Sequence, residues 1–375
     1  MHQRVIGLFL LAMACTACGP RDTSQGNGEG APAPSATAPS PEAPASATAP
    51  AASKPAPGAT LVTLDNFVRA ESDTYMANLA KEAGGLGKLF HHREPASIEN
   101  QNVIRLNRDT LYSSAVFDLD AGPVTVTLPD AGDRFQSLMF VNQDHYAWTE
   151  YGAGPHTVTR DKAGTRYLLV GIRTLVDPAD AKDVDDVHRL QDAITIRQGG
   201  GPGTLELPQW DPASHKKVRD ALLVLGSTMP DFSHAFGSKE QVDPVRHLIG
   251  TATGWGGNPD KDATYLNVTP PQNDGQTVYR LRVKDVPVDA FWSVSVYNAD
   301  GYYVKNDYNA YAINSVTAQK EADGTAQIQF GGCDGKIPNC IPVMPGWNYT
   351  VRLYRPQKAI LDGTWKFPEP EAVRS

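Results

Sequence analysis

Apolar residues recur along this chain with two periods, and the switches between them lay out its architecture. Leu64, Phe67, Val68, Tyr75 and Leu79 stand at helical spacing, which predicts an amphipathic helix over residues 63–83. Thr63 and Asn66 supply its cap region, and Gly84-Gly85 its stop. The period then shortens to two. Val124, Val126 and Leu128 alternate with threonines, while residues 136–141 and 166–172 are apolar on both faces, the pattern of strands covered from two sides. Helical spacing returns in the middle. Val184, Val187, Leu190 and Ile194 mark a helix ending at the glycines from Gly199. Val218, Ala221, Leu222 and Leu225 mark a second behind Ser214, and Val242, Val245, Leu248 and Ile249 a third behind Ser238. The final stretch alternates most cleanly: Tyr279, Leu281 and Val283; Trp292, Val294 and Val296; Ala326, Ile328 and Phe330; Tyr349, Val351 and Leu353. Asp-Gly pairs at 274, 300, 323, 334 and 362 punctuate it, and such pairs tolerate the positive φ angles of tight turns.

These patterns predict a mainly β chain, α+β overall. Two antiparallel β-sandwich or jelly-roll-like modules, residues 60–181 and 263–375, are joined by a helical connector, 182–262. Ahead of them, residues 19–59 are mostly Ala, Pro, Ser, Gly and Thr, a composition that cannot offset its ordering entropy and predicts a disordered tether.

The first eighteen residues carry an early Arg4, an apolar run from Val5 to Ala14, and then Cys15 and Cys18. The run is too short to span a bilayer but suits a secretory leader. Cys18 after Thr16-Ala17 resembles the lipobox of bacterial lipoproteins, although Cys15 stands where leucine is usual. The resemblance implies cleavage of residues 1–18, with acylated Cys18 as the mature N-terminus and a lipid-anchored place in the cell envelope. Gly19 rather than Asp after the cysteine, by resemblance to enterobacterial sorting, implies the outer membrane. The membrane is then one partner, reached through Cys18.

Composition narrows the partners. The formal charge is −8, with both signs interspersed, which argues against nucleic acid. In an oxidising compartment Cys333 and Cys340, in CDGKIPNC, read as a local disulfide. Two thiols without a nearby histidine fall short of zinc's four ligands, so no metal is expected, and no cofactor motif is present.

Two stretches resemble known families. NRDTLYSSAVFDLDAGPVTVTLPD, residues 107–130, resembles domain of unknown function 1254. AFWSVSVYNADGYYVKN and VRLYRPQKAILDGTWKFP, residues 290–306 and 351–368, resemble domain of unknown function 1214. The pair implies two β-rich modules with helical connections and no particular reaction. Many relatives carry Asn-Trp-Leu-Pro where this chain has Asn339-Cys340-Ile341-Pro342, so a disulfide replaces an aromatic there.

Familiar catalytic signatures are missing: no Gly-x-Ser-x-Gly elbow and no His-Glu-x-x-His helix. The densest polar group is Asn107, Arg108, Asp109, Thr110 and Tyr112. It could orient a hydroxyl or bind a cation, or cap a turn as the chain enters its first strand. Asp144 and His145 end a buried strand, where extended backbone would turn them to opposite faces, and His145 has a pKa suited to general base work. Aromatic residues including Trp255 and Tyr311, with Asn306 nearby, suit a ligand groove or a sandwich core. The leading expectation is a ligand-binding or assembly module that takes a small molecule, an envelope polymer or a second copy of itself as a homo-oligomer. The competing one is a hydrolase-like enzyme using Asp109 and His145 between the modules.

Overall fold

A computed structural model describes residues 57–101 and 103–373. The leader, Cys18 and all but the last three residues of the tether at 19–59 lie outside the described residues.

The first helix, α1 (Phe67–Glu82), begins later than its apolar spacing suggests. The Asn66 side chain accepts from the Thr63 amide at 2.8 Å and holds 63–66 in a turn instead. Eight strands follow: β1 (Phe90–His92), β2 (Thr110–Asp118), β3 (Val124–Leu128), β4 (Gln136–Asn142), β5 (Ala147–Tyr151), β6 (Gly154–Val158), β7 (Tyr167–Leu175) and β8 (Thr195–Gln198). Between them lie the one-turn α2 (Arg160–Ala163) and α3 (Ala181–Ala193). A five-stranded sheet, ordered β1-β2-β7-β4-β5, faces a three-stranded sheet, β6-β3-β8. Phe117, Phe140, Val170 and Ile172 meet Val124, Val126 and Val158 between the sheets. The opposite face of the five-stranded sheet packs Val116, Met139, Val141 and Leu169 against Met76 and Leu79 of α1. Burial on both faces is why β4 and β7 read as continuous apolar runs.

The helical stretch predicted to reach Gly199 stops at Ala193, because Ile194 turns extended and Thr195–Gln198 pair with β3. The β-branched Ile194-Thr195-Ile196 run suits a strand better than a helix, and Ile194 enters the sandwich core. Residues 182–262 are thus more than a connector. Helices α4 (Pro212–Gly226) and α5 (Pro244–Gly254) pack with α1 around Phe67, Leu222 and Ile249. Their caps are Asp211 and Asp243, each followed by proline, rather than Ser214 and Ser238.

The second sandwich contains β9 (Ala263–Val268), β10 (Tyr279–Val283), β11 (Trp292–Tyr297), β12 (Ala312–Asn314), β13 (Ala326–Phe330), β14 (Cys340–Ile341), β15 (Asn348–Tyr354) and β16 (Glu371–Ala372), with the one-turn α6 (Lys358–Leu361) before its last strand. Its sheets are ordered β14-β13-β10-β16 and β12-β11-β15-β9. Leu281, Ile328, Phe330, Trp292, Val294, Trp347 and Val351 fill the space between them. The glycine of every Asp-Gly pair has φ between +73° and +87°. Cys333 and Cys340 are joined, as their spacing predicts. The chain is therefore mainly β within an α+β whole, built on antiparallel sandwiches. Among the described residues no helix is long and apolar enough to cross a membrane.

One face departs from the expected pattern. Ser293 and Ser295, which alternate with Trp292, Val294 and Val296, are as buried as the apolar residues beside them. The polar face of β11 and β15 is covered by residues 96–109 of the first half.

Candidate functional site

The covered polar face is where the two sandwiches meet, and three arginines converge there. Arg352 on β15 stands in register with Ser293 on one side and Tyr265 on the other. Its guanidinium donates to Ser295 Oγ at 2.8 Å, Tyr297 Oη at 2.7 Å, and the carbonyls of Arg105 at 2.9 Å and Leu106 at 3.2 Å. Arg105 donates to Asn348 Oδ1 at 2.7 Å and Thr350 Oγ1 at 3.0 Å. Its backbone sits at φ +54°, and its amide donates to the Gly301 carbonyl at 2.7 Å. A side chain on Gly301 would meet Ile104 Cβ at 3.0 Å, so the Asp300-Gly301 turn needs its glycine to clasp this segment.

Arg173 arrives from β7, beside Tyr112 of β2. It lies 5.6 Å from the Tyr112 ring centre, and Nη1 stands 3.3 Å from Met139 Sδ. Arg105, Arg173 and Arg352 line one cavity with Asn107, Tyr112, Tyr265 and Tyr354. The cavity offers about 20 Å³ to the centre of a water molecule, room for a water or a compact headgroup. Tyr265, held by Asn258 Nδ2 at 2.7 Å, also lines an open surface groove of about 520 Å³.

The electrostatics are unusual. All three arginines are 9% exposed or less, and among the described residues no carboxylate lies within 4.0 Å of the Arg173 or Arg352 guanidinium. Buried Asp262 is the acid that feels the charge of Arg173, and Asp109 is the one that feels Arg352. Burial raises the Asp109 pKa, against the opposing pull of Arg352 and of hydrogen bonds from Ser293 and Asn314. The Ser293 hydroxyl donates to it at 2.6 Å.

Of the residues singled out in the sequence, Asn107 and Tyr112 line the cavity. Asn107 Nδ2 reaches Tyr112 Oη at 3.0 Å and Tyr354 Oη at 3.2 Å, while Oδ1 accepts from the Asp109 amide at 2.9 Å. It orients two site hydroxyls and caps a turn at once. Arg108 turns away, donating to the Ala96 carbonyl and lying 5.4 Å from the Tyr311 ring centre. Tyr311 belongs to a buried cluster with Tyr297 and Tyr303. Asn306 closes a loop, accepting from the amides of Tyr308 and Ala310 at 3.1 Å. Asp144 pairs with Arg69.

The proposed Asp109–His145 pair does not form. Asp109 precedes Thr110, which faces Leu175, whereas His145 follows Asn142, which faces Leu168 at the other end of β7. Seven residues of strand, about 23 Å, separate those two ends. A mechanism that needs both groups within hydrogen-bond reach therefore fails. His145 sits in a turn at φ +61° instead of extended backbone. Thr251 gives its hydroxyl hydrogen to the His247 carbonyl, so His145 Nδ1 donates to Thr251 Oγ1 at 2.8 Å. His145 Nε2 accepts from the Gly256 amide at 2.8 Å. Both ring nitrogens are thus committed in the neutral form, with Trp255 stacked 5.5 Å away. Trp255 is a core residue too, donating to Ser72 Oγ at 2.9 Å.

These histidines give a pH dependence with a definite sign. Burial holds His145 well below the usual imidazole pKa and takes His92 down to about 4, with His91 adding to the effect on His92. The unfolded chain takes up protons near pH 6.5 while the fold stays neutral, so this stability is present above that pH and is lost as pH falls below it. Each such group contributes a slope of up to about 1.4 kcal/mol per pH unit. Urea denaturation at pH 7, 6 and 5 should show His92→Phe losing less stability than the wild type over that range. Equal losses would refute the assignment.

Arg105, Arg173, Arg352, Tyr265 and Tyr354 escape a reading of the sequence. One signal was available: Arg173 follows directly on residues 166–172, a stretch apolar on both faces, where a cation has no solvent to reach.

Comparison with known proteins matches this architecture. Residues 86–173 match the family model described as Protein of unknown function (DUF1254), and residues 267–358 the one described as Protein of unknown function (DUF1214). The crystal structure of the VPA0106 protein from Vibrio parahaemolyticus aligns over 83% of this chain and 98% of its own, at 19% identity and a TM-score of 0.65. That likeness shows the shared fold. An uncharacterised protein from Burkholderia cenocepacia aligns over 83% of this chain and 87% of its own, at 13% identity and a TM-score of 0.47. No curated protein matches the chain by sequence. Arg105 and Arg173 fall in the first matched segment and Arg352 in the second, so the cavity draws on both. The chain thus carries a segment matching the DUF1254 model followed by one matching the DUF1214 model.

Proposed function

We propose that this is a binding protein of the cell envelope that captures a small anion between its two sandwiches. The observation that carries the reading is three buried guanidiniums around one small cavity, two of them with no carboxylate of the described residues within ion-pair distance. Burying a cation without a counter-charge costs several kcal/mol, and an anion entering the cavity offsets that cost. Guanidinium forks suit oxyanions, since their parallel N–H groups match the two oxygens of a carboxylate. Tyrosine hydroxyls and the Asn107 amide supply orientation. An envelope polymer fits less well, because the inner chamber admits only a headgroup. Export and a lipid anchor at Cys18 complete the proposal, supported by the leader's resemblance to lipoproteins and by the disulfide, which suits an oxidising compartment.

Thermal unfolding with formate, acetate, nitrate, sulfate and phosphate, at constant ionic strength, tests the reading. At least one oxyanion should raise the midpoint, and saturation at a hundred times Kd corresponds to about 2.7 kcal/mol. No shift with any of the five would overturn anion capture.

A further inference from the structure

The arginine chamber has a second, apolar chamber beside it, and Tyr112 and Arg173 line both. Strand register shows how it is floored. Tyr112, Arg173 and Ser137 form one row across β2, β7 and β4; Ser114, Gly171 and Met139 form the next; Val116, Leu169 and Val141 the third. Side chains two apart share a face, so all nine positions lie on one side of the sheet. Gly171 is at the centre. A glycine inside a buried strand weakens it, and such sites often mark a close approach by something else. Here a Cβ on Gly171 would meet nothing within 4 Å, so the missing side chain leaves open space above the middle of the sheet. Met139, Val141 and Leu169 bound that space, with Gly256 as its far wall. Like the arginine chamber, it offers about 20 Å³ to a water centre, which makes it narrow.

We infer that the anion is a carboxylate bearing a short, unbranched apolar tail, its headgroup on Arg173 and its tail lying over Gly171. The inference rests on the anion-capture reading and names the ligand class for the same site. Arg173 itself lines the apolar chamber as well as the polar one, so a molecule with its headgroup on this guanidinium can lay its tail in the recess. A branched or cyclic tail does not fit so narrow a space, and a fully polar anion leaves the recess unused.

Isothermal titration of the folded protein with acetate and butyrate tests it. Each buried methylene should tighten Kd about fourfold, giving about sixteenfold between the two. In Gly171→Val, whose new side chain occupies the recess, that ratio should fall to about one. Valine suits a strand, and should the variant still fold poorly, Ser114→Val fills the same space from β2 and carries the same readout. Butyrate binding no tighter than acetate, or a ratio unchanged in both variants, would overturn the tail while leaving anion capture standing. Failure of acetate and butyrate alike to bind would remove carboxylate capture as well.

Discussion

Arg173→Met should lose at least a hundredfold in affinity for acetate while unfolding at higher urea concentration than the wild type. The two effects have one cause. The Arg173 guanidinium is buried beside Met139 Sδ, a weak acceptor, and the Tyr112 ring, with no carboxylate within 4.0 Å among the described residues. Replacing a buried charge by an apolar side chain of similar length removes the desolvation penalty, the same gain that makes exchanging whole buried ion pairs for apolar residues neutral or stabilising by about 1–4 kcal/mol. The same exchange deletes the fork that would hold the carboxylate. A variant that is less stable and binds acetate normally would show Arg173 to be a structural residue. The expected combination, tighter fold and lost ligand, is the signature of a group kept for binding.

Arg352→Met should do the opposite to stability and unfold more easily, at a cost of about 1–3 kcal/mol for each buried acceptor it strands. Arg352 makes four hydrogen bonds to oxygens, two of them to carbonyls of the first half of the chain, so its loss strands acceptors on both sides of the junction. It also removes the positive charge that opposes the burial-driven rise in the Asp109 pKa, so Asp109 should take up a proton more readily. Arg352→Lys should recover little, because one ammonium cannot span acceptors that a planar guanidinium reaches together. Urea denaturation of both variants checks this. Wild-type stability in Arg352→Met would mean that the junction is held elsewhere. Two arginines in one cavity are thus expected to move stability in opposite directions, according to whether the protein itself supplies their partners.

The central strands β3, β4, β7, β10, β11, β13 and β15 are legible because each alternates or is largely apolar, whereas short edge strands such as β1, β12, β14 and β16 carry no such pattern. The same logic hid the site. Ser293, Ser295, Thr350 and Arg352 occupy the polar half of an alternation that normally faces water, and nothing local distinguishes solvent from a second sandwich. Only the chain's return over β11 and β15 makes that face interior. Asn107 and Tyr112 stand out because they cluster in sequence, whereas Arg105, Arg173 and Arg352 are brought together only by the fold. The helix caps differ from expectation for another reason. Asp211-Pro212 and Asp243-Pro244 carried both the N-cap acceptor and the N1 proline, a stronger local signal than the serines nearby. His145 looked like a base because its residue type fits one, but its neighbours leave neither nitrogen free.

The carbonyl that Arg352 grips at residue 105 lies 247 positions earlier in the chain. Contacts of such sequence separation pay a large loop-closure cost before they reward it, which places them late on the folding pathway. Where each sandwich assembles first on its own strand pairings, the cavity closes only as β15 meets the 105–106 segment. A molecule seated there therefore stabilises contacts absent from the folding transition state, and the kinetic result is slower unfolding rather than faster folding. Occupancy then becomes a measure of lifetime: the loaded form persists and the unloaded form is the one that opens.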